Sequence, residues 1–115
     1  GYENLEKYDK AIADFSRAIG ILPGYPDAYF NRGATYWTLK IFDKAIADYT
    51  TVIGIKPDYK EAYLYRAVAY SNMGQWDKAV SDFSSALAID PNYAQAASLR
   101  ETAYTKLKTK KHQIR

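Results

Sequence analysis

The chain has no cysteine and only one histidine and one methionine in 115 residues. Without thiols there is no disulfide framework and no thiolate metal site, and the redox compartment is left undetermined. The single histidine, His112, lies in a basic tail, and no glycine-rich phosphate loop accompanies it. Neither an acid–base pair built on histidine nor a nucleotide cradle is therefore available, and an enzyme, a cofactor or a metal is not expected. Long apolar runs are also missing: nothing approaches the ~18 to 20 residues of a membrane-spanning helix. Gly1 to Lys7 lack the basic and apolar regions of a signal peptide. The sequence reads as that of a soluble protein, with the cytoplasm the favoured compartment.

What is present is enough to build one packed domain: 48% of the residues are hydrophobic and 16% aromatic. The net charge of +3 is unevenly placed, because residues 100–115 hold six basic side chains against Glu101, a local +5, and residues 1–99 carry −2. The high isoelectric point thus belongs to the tail.

Proline returns every 34 residues, at Pro23, Pro57 and Pro91, with Tyr25, Tyr59 and Tyr93 two residues on and Ala11, Ala45 and Ala79 twelve before. A period of this length indicates a stacked helical array. Residues 26–59 and 60–93 share eleven identities without a gap, among them Arg32/Arg66, Tyr36/Tyr70, Asp43/Asp77 and Asp48/Asp82. Each unit divides into two helical patterns. In the first, Tyr29, Arg32, Gly33 and Tyr36, and again Tyr63, Arg66, Ala67 and Tyr70, fall on one helix face, with a small residue that lets a neighbouring helix approach. In the second, Ala45, Tyr49, Val52 and Ile53, and Ala79, Phe83, Ala86 and Leu87, form an apolar stripe that Ala11, Phe15, Ala18 and Ile19 repeat near the chain start.

Asp9, Asp43 and Asp77 are the expected N-caps of the second helices. Asp58 with Glu61 and Asn92 with Gln95 resemble capping boxes at the starts of first helices, where Gly24 and Asp27 hold the same places in the preceding unit. The prolines stand just before, where the preceding helix has to stop. Lys40 occupies the place of Gly74, a turn position that often needs a left-handed residue, so the two helices around it are open to fusing into one long, domain-swapped helix across 27–55. Asp14, Asp48 and Asp82 form a carboxylate series one repeat apart, too far from one another for shared acid and base work, and they read as a solvated helix face.

These residues resemble the tetratricopeptide repeat, whose helix–turn–helix unit has this period and this order of aromatic, small, tyrosine, alanine, aromatic, alanine and proline. Tyr63, Ala67, Tyr70, Ala79, Phe83, Ala86 and Pro91 fill those places, as do Tyr29, Gly33, Tyr36, Ala45, Tyr49, Val52 and Pro57. The resemblance implies an all-α fold, an α-solenoid of antiparallel helix pairs wound as a right-handed superhelix. It divides the chain into a partial first repeat at 1–25, complete repeats at 26–59 and 60–93, a terminal capping helix at 94–108 and a basic tail at 109–115. Glu101 replaces the small residue of the other first helices, which suggests that no second helix packs on that face. The face of Ala11, Phe15 and Ala18 lacks its natural first helix and invites self-association, unless the chain is a piece of a longer array.

In this family the first helices line a concave surface. The candidate peptide groove is then Asp27, Phe30, Asn31, Ala34, Trp37 and Thr38 in the second unit and Glu61, Leu64, Tyr65, Val68, Ser71 and Asn72 in the third. Gln95, Ser98, Leu99, Thr102, Thr105 and Lys106 continue it on the last helix. Phe30, Trp37, Leu64, Tyr65 and Val68 stand out, because large apolar groups here either anchor a peptide or fill space between repeats. Asp27 and Glu61 are explained by capping alone. A subfamily clamps the carboxylates of chaperone tails with basic and amide groups. Asn31 matches its middle asparagine, but Glu61 and Tyr65 stand where the clamp has Lys and Arg, which argues against that ligand. The expected function is a scaffold that binds an extended or helical segment of another protein. The alternative is a structural module that joins copies or domains through its ends. The tail around Lys106 to His112 is either a solvated helix end or a contact for an anionic partner, nucleic acid being an unlikely one.

Overall fold

The computed structural model describes residues 2–114, with side chains for residues 5–109. The described residues form six α-helices: α1 (Tyr2–Ile21), α2 (Pro26–Thr38), α3 (Phe42–Ile55), α4 (Lys60–Asn72), α5 (Trp76–Ile89) and α6 (Ala94–Ile114). They fall into two compact units, Gly1–Pro57 and Asp58–Arg115.

In the first unit α2 packs against both α1 and α3. The 34-residue pattern explains the contact. Ala28 and Gly33 are buried on α2, and Ala45, Tyr49 and Val52 have no exposed surface on α3. A Cβ on Gly33 would lie 3.0 Å from Tyr49 Cε1 and 3.1 Å from Asp48 Cβ, so the two helices meet where only hydrogen fits comfortably. In the second unit α5 packs against both α4 and α6. Its core is Leu64, Ala67, Ala79, Phe83 and Ala86, closed by Ala96 and Ala103 of α6. Burying a side chain the size of Phe83 or Leu64 contributes about 2 to 3 kcal/mol.

The proline-to-tyrosine spacing resolves into a β-turn. The amide of Tyr25 donates to the Leu22 carbonyl (3.1 Å) and that of Tyr93 to the Asp90 carbonyl (3.0 Å), with Pro23 and Pro91 at the second turn position, where their fixed φ is preformed. The turn hands the N-cap position to Tyr25 and Tyr59, neither of which makes a side-chain cap bond. The capping box expected at Asp58 and Glu61 is therefore not formed, and Asn92 lies one residue too early to cap α6. Pro26 takes the first turn of α2 instead. Likewise α3 and α5 begin one residue before Asp43 and Asp77, with Ile41 and Gln75 as N-caps. Those aspartates sit in the first turn, where they complement the helix dipole rather than cap.

Lys40 does not let α2 and α3 fuse across 27–55. It adopts φ 62°, as Gly74 adopts φ 75°. The Ile41 and Gln75 amides reach back to the Tyr36 and Tyr70 carbonyls (both 2.9 Å), and the Lys40 and Gly74 amides to those of Trp37 (2.9 Å) and Ser71 (3.0 Å). This paired closure is strong enough to hold a lysine in the left-handed region. Fusion occurs one repeat earlier. Leu5 to Tyr8 align with the turn residues 39–42 and 73–76, yet α1 runs through them, so Asp9 is an interior helical residue and not an N-cap. At the other end α6 continues to Ile114, through the residues expected to form a separate tail.

Candidate peptide-binding faces

Each complete repeat holds one arginine at its centre. In the first unit Arg32 donates from Nε to Asp48 Oδ2 (2.8 Å) and from Nη2 to Asp48 Oδ1 (2.7 Å), and its Nη1 donates to Ser16 Oγ (3.1 Å). Tyr29 and Tyr36 flank the guanidinium at 5.8 and 6.0 Å, and Lys44 lies 5.6 Å from the Tyr36 ring. In the second unit Arg66 pairs with both oxygens of Asp82 at 2.7 Å, between Tyr63 (5.8 Å) and Tyr70 (5.9 Å), with Lys78 on the Tyr70 ring at 5.5 Å. The carboxylates raise the affinity of both guanidiniums for their protons, hydrogen bonding first, against the opposing effect of burial. Asp48 and Asp82 are 4% and 5% exposed, so two members of the carboxylate series are buried ion-pair partners, not a solvated face; only Asp14 is exposed. The signal was present in the sequence: arginine and aspartate recur 16 residues apart in both units.

The residues expected to line a groove lie on other faces of α2, α4 and α6. On α2, Asn31 and Thr38 are exposed, and Asp27, Ala34 and Trp37 are half-buried. The Trp37 indole Nε1 is hidden and has no acceptor among the described residues. Phe30 is half-buried, its ring 5.7 Å from that of Tyr49 at a tilt of 54°. On α4, Leu64 is 1% exposed and belongs to the core, and Val68 packs against that core. The Ser71 hydroxyl donates to the Ala67 carbonyl at 3.0 Å. Glu61 and Tyr65 are half-buried and Asn72 is exposed. Of the five large apolar candidates Leu64 alone is buried, and Phe30, Trp37, Tyr65 and Val68 are half-buried. On α6, Gln95, Ser98, Thr102, Thr105 and Lys106 are exposed, and Leu99 joins the core.

One cluster escaped the sequence reading. Lys60 Nζ donates to Asp90 Oδ2 (2.7 Å) and lies 5.0 Å from the Tyr93 ring centre. Burial, assisted by Glu61, Tyr65 and Asp90, pushes the Tyr93 hydroxyl above its ordinary value. The beginning of the α4 face is therefore acidic and aromatic, with its one lysine already engaged. Among the described residues no three His, Cys, Asp or Glu side chains gather as a metal site would require, and no helix is long and apolar enough to cross a membrane.

Models of the tetratricopeptide repeat match residues 26–59 and 61–93, and a further repeat model of the same kind matches residues 4–40. Solved structures agree. The first repeat domain of Spaghetti (RPAP3), bound to the HSP90 peptide SRMEEVD, is 26% identical; the match covers 93% of this chain and 85% of that one, with a TM-score of 0.86. The second such domain of human RPAP3, in complex with the HSP70 peptide SGPTIEEVD, is 25% identical over 90% and 87%, with a TM-score of 0.81. The OM64 domain from Arabidopsis is 25% identical over 90% and 85%, with a TM-score of 0.83. A comparison with curated proteins finds no match.

Proposed function

The chain belongs to the tetratricopeptide-repeat family, and on that premise we propose that it is a protein-interaction module that binds a peptide segment of another protein, with the outer face of α2 as its candidate site. Such repeats are generally interaction modules and not enzymes, and two of the related structures hold chaperone peptides. The observation that carries the reading is Trp37. It is a large half-buried ring on α2, the helix that also carries exposed Asn31 and Thr38, with an indole donor that no described residue accepts. A hidden, unpaired donor costs about 1 to 3 kcal/mol. Asn31 would hold the same peptide, since one amide side chain donates to and accepts from a main chain at once. Aromatic anchors edged by such groups are typical of binding hot spots.

The ligand class differs from that of the related structures. Glu61 and Tyr65 occupy the places where a carboxylate clamp needs cations, and Lys60 is tied to Asp90. The SRMEEVD peptide is therefore expected to bind this chain no tighter than about 1 mM. The positive test is a peptide-display selection against the chain, followed by titration of the selected peptides. Trp37→Phe, which keeps a ring and removes the donor, and Asn31→Ala should each weaken them about fivefold or more, Asn31→Ala melting as wild type and Trp37→Phe no lower. Equal affinity for both variants would place the binding surface elsewhere.

A further inference from the structure

Glu61 does not perform the duty its place in the sequence suggests. No capping box forms at the start of α4, where Tyr59 is the N-cap without a side-chain cap bond. Glu61 has neither a hydrogen bond nor an ion pair among the described residues, yet it stays half-buried. Its place in the first turn complements the helix dipole, which a fully solvated carboxylate would do as well. Tyr65, also half-buried, follows four residues later on the same face of α4. Tyr93, just before α6, faces the start of α4: its ring centre lies 5.0 Å from Nζ of Lys60, the neighbour of Glu61. Glu61 and Tyr65 are both close enough to help raise the Tyr93 hydroxyl above its ordinary value, after burial. Lys60 does not neutralise Glu61, because its ammonium donates to Asp90 Oδ2 at 2.7 Å. One negative charge is left between two tyrosines.

The interior shows what this chain does with such a set. Arg32 lies 5.8 and 6.0 Å from the rings of Tyr29 and Tyr36 and pairs with Asp48. Arg66 lies 5.8 and 5.9 Å from those of Tyr63 and Tyr70 and pairs with Asp82. Each centre combines one carboxylate, two tyrosines and one guanidinium. Glu61, Tyr65 and Tyr93 repeat the carboxylate and the rings at the surface, and the guanidinium is the missing part. We propose that Glu61, Tyr65 and Tyr93 form a binding site for an arginine side chain of a partner protein. Arginine suits the site better than lysine, because its planar group is weakly hydrated, stacks on rings and meets a carboxylate with two donors. The three residues belong to the second unit, and the inference does not depend on peptide capture at α2.

The test is an amide-resolved NMR titration of the 115-residue chain with the capped peptide Gly-Ser-Arg-Ser-Gly. Its lysine and citrulline counterparts serve as controls, citrulline keeping the shape of arginine without the charge. The arginine peptide is expected to give saturable shifts at residues 61, 65 and 93, the lysine peptide to bind more weakly, and the citrulline peptide at least about fivefold more weakly. Glu61→Gln, which keeps the shape of the side chain, and Tyr65→Leu should each weaken the arginine peptide about threefold or more. Circular dichroism melts check the fold, and Glu61→Gln decides alone if Tyr65→Leu melts early. Trp37→Phe should bind the arginine peptide as wild type does, whatever it does to peptides selected for α2. No saturable shift at these three residues, citrulline or lysine binding as tightly as arginine, undiminished binding by Glu61→Gln, or a loss in Trp37→Phe would each overturn the proposal.

Discussion

A carboxylate at 4 or 5% exposure is tolerated because a guanidinium meets both of its oxygens with charge-assisted hydrogen bonds. Removing one partner leaves the other charge buried and alone. Arg66→Met is therefore expected to lower unfolding free energy by about 3 to 5 kcal/mol in urea titrations, and a second change, Asp82→Leu, to restore much of it. The half-buried pair of Lys60 and Asp90 behaves differently. Hydrogen bonding to Lys60, then to the Asn92 amide, holds the Asp90 carboxyl below its ordinary 3.8, and Asp90 raises Lys60 above 10.5. The stabilisation is present between those ordinary values. It fades as pH falls through the lowered Asp90 value or rises through the raised Lys60 value. Melting temperatures of wild type and Asp90→Asn should accordingly differ near neutrality and converge at both extremes.

At the scale of elements, the two turns inside complete repeats offer a matched comparison. Lys40 and Gly74 share one left-handed conformation, which costs a residue with a Cβ about 1 kcal/mol or more. Lys40→Gly should raise stability by about that amount and Gly74→Ala should lower it similarly, both readable in thermal melts. The position of these turns was legible from the 34-residue register, and so were the faces of Tyr29, Gly33, Tyr36 and their counterparts, because hydrophobic period and small-residue placement are local properties of a helix. Cap assignments failed where a local side-chain preference competed with a backbone turn: the Pro–x–Tyr β-turn puts tyrosine, not Asp or Asn, at the N-cap. The burial of Asp48 and Asp82 was missed because it depends on a cation 16 residues away. On the candidate faces Asn31 is exposed and Phe30, Trp37, Tyr65 and Val68 keep part of their surface, but Leu64 went to packing that only the position of the next helix reveals.

At the scale of the molecule, charge and fold are separable. Residues 106–115 carry a charge of +5, whereas the parts of α6 that hold the second unit together, Ala96, Leu99 and Ala103, lie before them. Deleting residues 106–115 should thus leave the helical signal of the first 105 residues and the melting temperature nearly unchanged, while the net charge falls from +3 to −2. Peptide capture uses α2, which the deletion does not touch, and affinity for a selected peptide should stay within about twofold of wild type. A truncated chain that loses peptide affinity while keeping its fold would place the last helix, along Thr105 and Lys106, in the binding surface.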